Sequence, residues 1–185
     1  MTERTVQAAK YPVLLRVLHW LMAAIIVGML AAGLFMVRMP DRVPAKFDLF
    51  YPYHKSFGLL VLLLVFVRLA VRKSAPIPAL PAGLANWEVT TSKFAHVAFY
   101  VLLFVVPLMG YALSSSYTQS DGIVFFGALL PELLPKNDAN FEIFRLCHRI
   151  LAYCLLGLIV VHVAAALKHR LFDRDKDADV LSRMF

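Results

Sequence analysis

The chain has 185 residues, of which 61% are hydrophobic and 17% charged, and its mean hydropathy is +0.71. Soluble domains carry about 25% charged and 45–50% apolar residues, so this composition excludes a soluble globular domain and indicates a membrane protein. The formal net charge of +7 does not mark a nucleic-acid-binding surface, because the basic residues form no single stripe and instead flank apolar runs.

Four runs approach or exceed the roughly 20 apolar residues needed to span a bilayer: 13–37, 54–71, 94–113 and 146–167. They predict an all-α integral membrane four-helix bundle, with residues 1–185 forming one four-span domain. The first run reads as a retained helix, since it is too long for a signal-peptide core and no small-residue cleavage site follows it. With the N-terminus inside, twelve basic residues fall on the inner side, Arg4, Arg174 and Lys176 among them. Seven fall outside: Arg38, Arg42, Lys46, Lys55, Lys136, Arg145 and Arg149. This asymmetry places both termini in the cytoplasm.

The outer connector 38–52 holds three prolines and reads as turn-rich. The prolines of "SAPIPALPAG" favour an extended inner stretch, with the third helix starting near Ser92. Within that helix, "VPLMGY" places Pro107 and Gly110 three apart, a pattern that serves helix packing or the close approach of a bulky cofactor. In the longest connector, Phe125, Phe126, Leu129 and Leu130 predict a short amphipathic piece resting on the membrane surface. Cys147 and Cys154 lie about 10 Å apart along one helix, too far for a disulfide. The tail "DRDKDADVLSRMF" reads as charged and solvated.

The histidines carry the chemistry. His54 and His148 belong to the outer half of the bilayer, and His19 and His162 to the inner half, so each half holds two histidines from different helices. His148 and His162 are fourteen residues apart, which corresponds to a rise of about 21 Å and a turn only about 40° short of four full circles. They therefore share one face, which should point into the bundle where intramembrane polar groups are kept. A closed structural zinc site takes four ligands, whereas haem iron needs only two axial ones, and an apolar porphyrin suits a helix bundle. Two bis-histidine haems fit this pattern best. "FRLCH" lacks the first cysteine of a covalent attachment motif, so the haems should be b-type. Inner His96 competes with His19 for one ligand position. His169 reads either as an interfacial histidine in a basic flank or as a quinone contact below the inner haem.

The motifs "LHWLMAAIIVGMLAAGLFM", "HKSFGLLVLLLVFVRLAVR", "VPLMGY" and "HRILAYCLLGLIVVHVAAALKHRLFDRDKDADVLSRMF" resemble the bacterial cytochrome b561 family, four-helix di-haem proteins of the inner membrane. The resemblance covers nearly the whole chain and carries the ligand roles over to His19, His54, His148 and His162. It implies electron transfer from superoxide, in the manner of superoxide:ubiquinone oxidoreductases, with ubiquinone reduced near the inner end of the fourth helix, which favours His169. The related cytochrome b subunits offer the alternative of a membrane anchor for a dehydrogenase or hydrogenase complex. A non-redox proton path or transporter lined by histidines is the third reading. One position departs from the family: Arg149 follows the ligand where Glu is common, which alters the local electrostatics. The outer basic residues suit an anionic donor such as superoxide, since a positive field speeds encounter with anions. The bland reading is that they snorkel to lipid phosphates.

Overall fold

The computed structural model of the protein describes residues 10–80, 83–120, 122–173 and 179–185. Arg4, Asp121, Arg174 and Lys176 lie outside the described residues. Four helices dominate: α1 (Val13–Arg38), α2 (Tyr51–Ser74), α3 (Asn86–Ser116) and α4 (Asp138–Leu171). All four are long and apolar enough to cross a membrane. Lipid offers no hydrogen bonds, so such runs fold as helices that satisfy their own backbone.

The connector 38–52 is more ordered than its prolines suggest. A π-helical turn, Lys46–Phe50, runs directly into α2. The Pro44 carbonyl accepts the N–H groups of both Phe47 and Asp48, at 2.9 and 3.0 Å. Pro52 falls in the first turn of α2, where its missing N–H costs nothing. Buried Lys46 is tied to Asp41 at 2.6 Å and to the Met39 carbonyl at 2.9 Å. α3 begins earlier than Ser92, at Asn86, because the Glu88 carboxylate accepts the Ala85 N–H at 3.0 Å and closes its first turn.

The short amphipathic piece expected in the long connector is a pair of strands, with Ile123 buried and Phe126 and Leu129 exposed. It forms an antiparallel hairpin of β1 (Ile123–Phe125) and β2 (Ala128–Leu130). Its two-residue turn, Phe126 and Gly127, has positive φ at both positions, 46° and 94°, which matches the twist of a tight hairpin. The β-branched Ile123 and Val124 favour the strand, and Ile123 is 1% exposed. The hairpin is seated on α2 through Ser56, a 2% exposed residue whose Oγ accepts the Phe126 N–H at 3.0 Å and lies 3.1 Å from the Val124 carbonyl.

The end of the tail is not solvated either. Its last apolar residues dock beside the start of α1, where the Trp20 indole N–H donates to the Met184 carbonyl at 2.9 Å and the Trp20 and Phe185 rings lie 4.9 Å apart. Arg183 bridges to the Ala79 carbonyl at 2.6 Å, and its own carbonyl accepts from Tyr11 at 3.1 Å. Leu181, Met184 and Phe185 give this end an apolar character that the charged stretch before it lacks.

α1 packs on α2, α2 on α3, and α3 on α4, while α4 makes almost no close backbone approach to α1 or α2. The core joins Met22 and Ile26 of α1, Val61 and Val65 of α2, Leu103 of α3 and Leu155 of α4. One end of the bundle carries the hairpin and the other carries residues 10–12 and the tail. These are the hairpin end and the terminal end below.

Candidate functional site

Ile26, Val61, Leu103 and Leu155 stand in the core, one from each helix. Seven residues is about 20° short of two full turns, so the residues seven before and seven after each of them share its inward face. At the hairpin end these positions hold Gly33, His54, Gly110 and His148. At the terminal end they hold His19, Arg68, His96 and His162. The bundle interior is thus two tiers separated by one apolar layer.

In the hairpin-end tier the rings of His54 and His148 have centres 6.3 Å apart. His148 Nδ1 is 2.9 Å from the Val106 carbonyl, which fixes that nitrogen as the N–H donor and leaves Nε2 for another partner. Buried His54 Nδ1 has no hydrogen-bond partner. Both rings lie against glycines: a Cβ built on Gly110 would stand 3.2 Å from His148 Cε1, and one on Gly33 would stand 3.6 Å from His54 Cε1. "VPLMGY" therefore serves close approach, and the group approached is the His148 ring itself.

In the terminal-end tier His162 has two histidine neighbours, His19 at 6.4 Å and His96 at 6.1 Å between ring centres. Packing distinguishes them. His96 and His162 sit on α3 and α4, which pack closely, whereas His19 and His162 sit on α1 and α4, which do not. The same holds for His54 and His148 on α2 and α4. Both pairs taken as ligands thus bridge helices that stand apart.

A ring nitrogen binds a metal at about 2 Å and lies about 1.1 Å from its ring centre, so two imidazoles on opposite sides of one iron have centres roughly 6.2 Å apart. Both pairs match this separation, and so does His96 with His162, so the distance alone does not choose between His19 and His96. Among the described residues no cluster of three or more His, Cys, Asp or Glu side chains offers itself to a bare metal ion. Two ligands in an apolar bundle suit haem, which brings four of its own.

A profile of the family described as prokaryotic cytochrome b561 matches residues 10–185. The chain belongs to this family. It is similar to cytochrome b561 homolog 2 of Escherichia coli K12, at 32% identity over 95% of this chain and 90% of the relative. It is also similar to cytochrome b561 homolog 1 of the same organism, at 23% identity over 85% and 88%. The protein is accordingly a multi-pass, mostly helical membrane protein of a family that binds b-type haem and transfers electrons.

His169 lies beyond the terminal-end tier in a charged cluster joining the ends of α3 and α4. Its Nδ1 is 2.6 Å from Asp173, and its Nε2 is 3.9 Å from Glu88. Lys168 bridges the same two acids, at 2.8 Å to Glu88 and 3.0 Å to Asp173. Hydrogen bonding from His169, and then from Lys168, holds the Asp173 carboxyl below the usual carboxylate range.

Among the described residues, Lys46 is paired with Asp41, Lys136 with Glu132 and Arg145 with Glu142. The field of this end is weaker than the raw count implies. Cys147 and Cys154 are free thiols. The fourteen-residue interval recognised on α4 recurs on every helix, and applied to the other three it places Gly33 and Arg68 in the tiers beside the histidines.

Proposed function

We propose that residues 1–185 form one four-span cytochrome b domain holding two b-type haems, ligated by His54 with His148 and by His19 with His162. In this reading the protein is a superoxide:ubiquinone oxidoreductase of the bacterial inner membrane with both termini cytoplasmic. The hairpin end faces outward and takes electrons from superoxide. The terminal end faces inward and delivers them to ubiquinone. The observation that carries the reading is the pair of tiers, in each of which two imidazoles from helices that stand apart lie at about the separation one iron needs.

Two superoxide ions each give up one electron and leave as O₂, and one ubiquinone takes both electrons with two protons and leaves as the quinol. The haems, when bound, supply one-electron redox chemistry at each tier. The chain supplies the rest. His148 is oriented by its Nδ1–H bond to Val106, and Leu155, Val61, Leu103 and Ile26 keep water from the layer between tiers. At the terminal end His169 holds its Nδ1 proton toward Asp173 and turns Nε2 toward Glu88. A quinone carbonyl at this cluster would meet the proton donor its reduction requires.

The test combines a pyridine haemochrome assay with superoxide-driven reduction of the pure protein. Two haems per chain, reduced by superoxide and reoxidised by ubiquinone without another protein, are expected. A haem-loaded protein that superoxide leaves oxidised, while a co-purified dehydrogenase reduces it, makes it a membrane anchor. A haem-free protein makes it a histidine-lined proton path.

A further inference from the structure

The terminal-end tier holds a cation that the ligand reading does not use. Arg68 stands on α2 fourteen residues after His54, as His162 stands on α4 fourteen residues after His148. It lies six residues before the last residue of α2, about 9 Å from the helix end, and is half-buried. Its Nη1 donates to the Leu15 carbonyl at 3.0 Å, which brings the guanidinium across to α1 one turn from His19. Arg68 is near enough to act electrostatically on both His19 and His96, and Arg72, one turn further along α2, acts on His96.

Among the described residues no carboxylate pairs with Arg68 or Arg72. The acids of this end are engaged elsewhere: Glu88 and Asp173 with Lys168, and Asp179 with Arg170. A cation facing the interior of a membrane bundle is costly without a counter-charge. A guanidinium offers five donors in a fork suited to carboxylates, and Arg68 uses one of them on protein. The counter-charge must be an anion that enters this tier beside His19 and His162, and the two propionate carboxylates are the anionic part of a b-type haem.

We propose that Arg68, assisted by Arg72, is the carboxylate-binding edge of the terminal-end tier and holds the propionates of the haem seated there. This rests on the reading that a haem occupies that tier. The hairpin-end tier has Gly33 and Gly110 as its non-histidine positions, so no arginine stands there at the place that Arg68 takes in the terminal-end tier. Arg68 is a positioning residue for the haem and takes no part in ligating the iron.

The test measures transfer of haem from the purified holoprotein to apomyoglobin, with the two haems resolved by their visible bands. Losing a charged hydrogen bond costs about 1.5–3 kcal/mol, so Arg68→Gln should speed loss of the terminal-end haem roughly 10- to 100-fold and leave the other unchanged. Arg68→Lys, which keeps the charge without the fork, should fall between and guards against a variant that does not fold. Wild-type protein reconstituted with haem dimethyl ester should lose the ester as fast as Arg68→Gln loses haem, and Arg68→Gln should treat haem and ester alike. If the wild type does not distinguish ester from haem, or if Arg68→Gln and Arg68→Lys both retain haem like the wild type, Arg68 serves lipid phosphate or packing and the proposal is overturned. A wild type that carries only the hairpin-end haem is a different result, which removes the ligand reading and the proposal with it.

Discussion

Gly110 lies against the ring of His148, and a methyl group there would stand 3.2 Å from Cε1 and 3.3 Å from Nδ1. The ring cannot swing away freely, because Nδ1 is held by the Val106 carbonyl one turn earlier on the same helix. Gly110→Ala should therefore tilt His148 and broaden or shift the bands of the hairpin-end haem, and Gly110→Val should expel that haem while the other stays. Gly33→Ala is the control. Its Cβ would meet His54 at an ordinary 3.6 Å, and Ala in a helix interior is favoured over Gly by about 0.5–1 kcal/mol. Equal effects of the two alanines on haem content would refute the assignment of Gly110 to His148.

Ligand identity separates by tier. His54→Ala or His148→Ala should remove only the hairpin-end haem, and His19→Ala or His162→Ala only the other. His96→Leu should retain both, since α3 already packs closely on α4 and His96 does not bridge separated helices. Haem stoichiometry with optical redox titration reads these outcomes. Loss of a haem in His96→Leu with retention in His19→Ala would exchange the two residues in the ligand set.

The four spans and the histidine pairs were legible in the sequence because each has a period: a run of about 20 apolar residues for a span, and fourteen residues for a shared face. The hairpin was not. Phe125, Phe126, Leu129 and Leu130 look equally apolar on a surface helix or a strand, and the deciding feature is a tight turn that puts Phe126, a non-glycine, at positive φ. The tail was misread because the charges of 173–178 outweigh the apolar residues after them, and only the fold shows Trp20 waiting for Met184 and Phe185. His169 was legible as a histidine in a basic flank after the last span, but its partners Glu88 and Asp173 come together only through the packing of α3 on α4.

The hairpin depends on one buried hydroxyl. Ser56→Ala would leave the Phe126 N–H without its acceptor and remove the Ser56 Oγ bond to the Pro52 carbonyl at 2.8 Å. A buried donor left unmatched costs about 1–3 kcal/mol, so the variant should melt at lower temperature and be nicked by protease between 122 and 130. Ser74→Ala, at an exposed position whose hydroxyl bonds only to the Ala70 carbonyl one turn back, should be near neutral. Matching melting temperatures for the two variants would show that the hairpin is held by its apolar contacts alone.

Asp173 gives a pH signature. Its carboxyl is held below the usual range by His169 and then Lys168, so the folded state favours its charged form. The stabilisation is fully present above the unfolded value of about 3.9 and is lost as pH falls through the lowered folded value. Asp173→Asn should lower thermal stability at neutral pH, and the gap to wild type should narrow as the pH drops below about 4. A gap that does not narrow at all as the pH falls below about 4 would mean the side chain acts by shape and not by charge.

Superoxide capture should respond to net charge and not to any one arginine. Arg145 is already paired with Glu142, so its contribution to the long-range field is cancelled by its neighbour, while Arg149 stands one turn further along α4 beside His148. Haem reduction by superoxide should be fastest at low ionic strength and slow as salt shortens the Debye length to about 10 Å at 0.1 M. Arg149→Gln should lower that rate and flatten its salt dependence. The double variant Arg145→Gln with Glu142→Gln leaves the net charge as it was and should keep the wild-type rate. Quinol-driven haem reduction from the terminal end should be nearly the same in all of them, and His169→Ala should slow quinone turnover while leaving capture intact. A superoxide rate that ignores salt, or a double variant as slow as Arg149→Gln, would show that local contacts at this end govern capture and that the field does not.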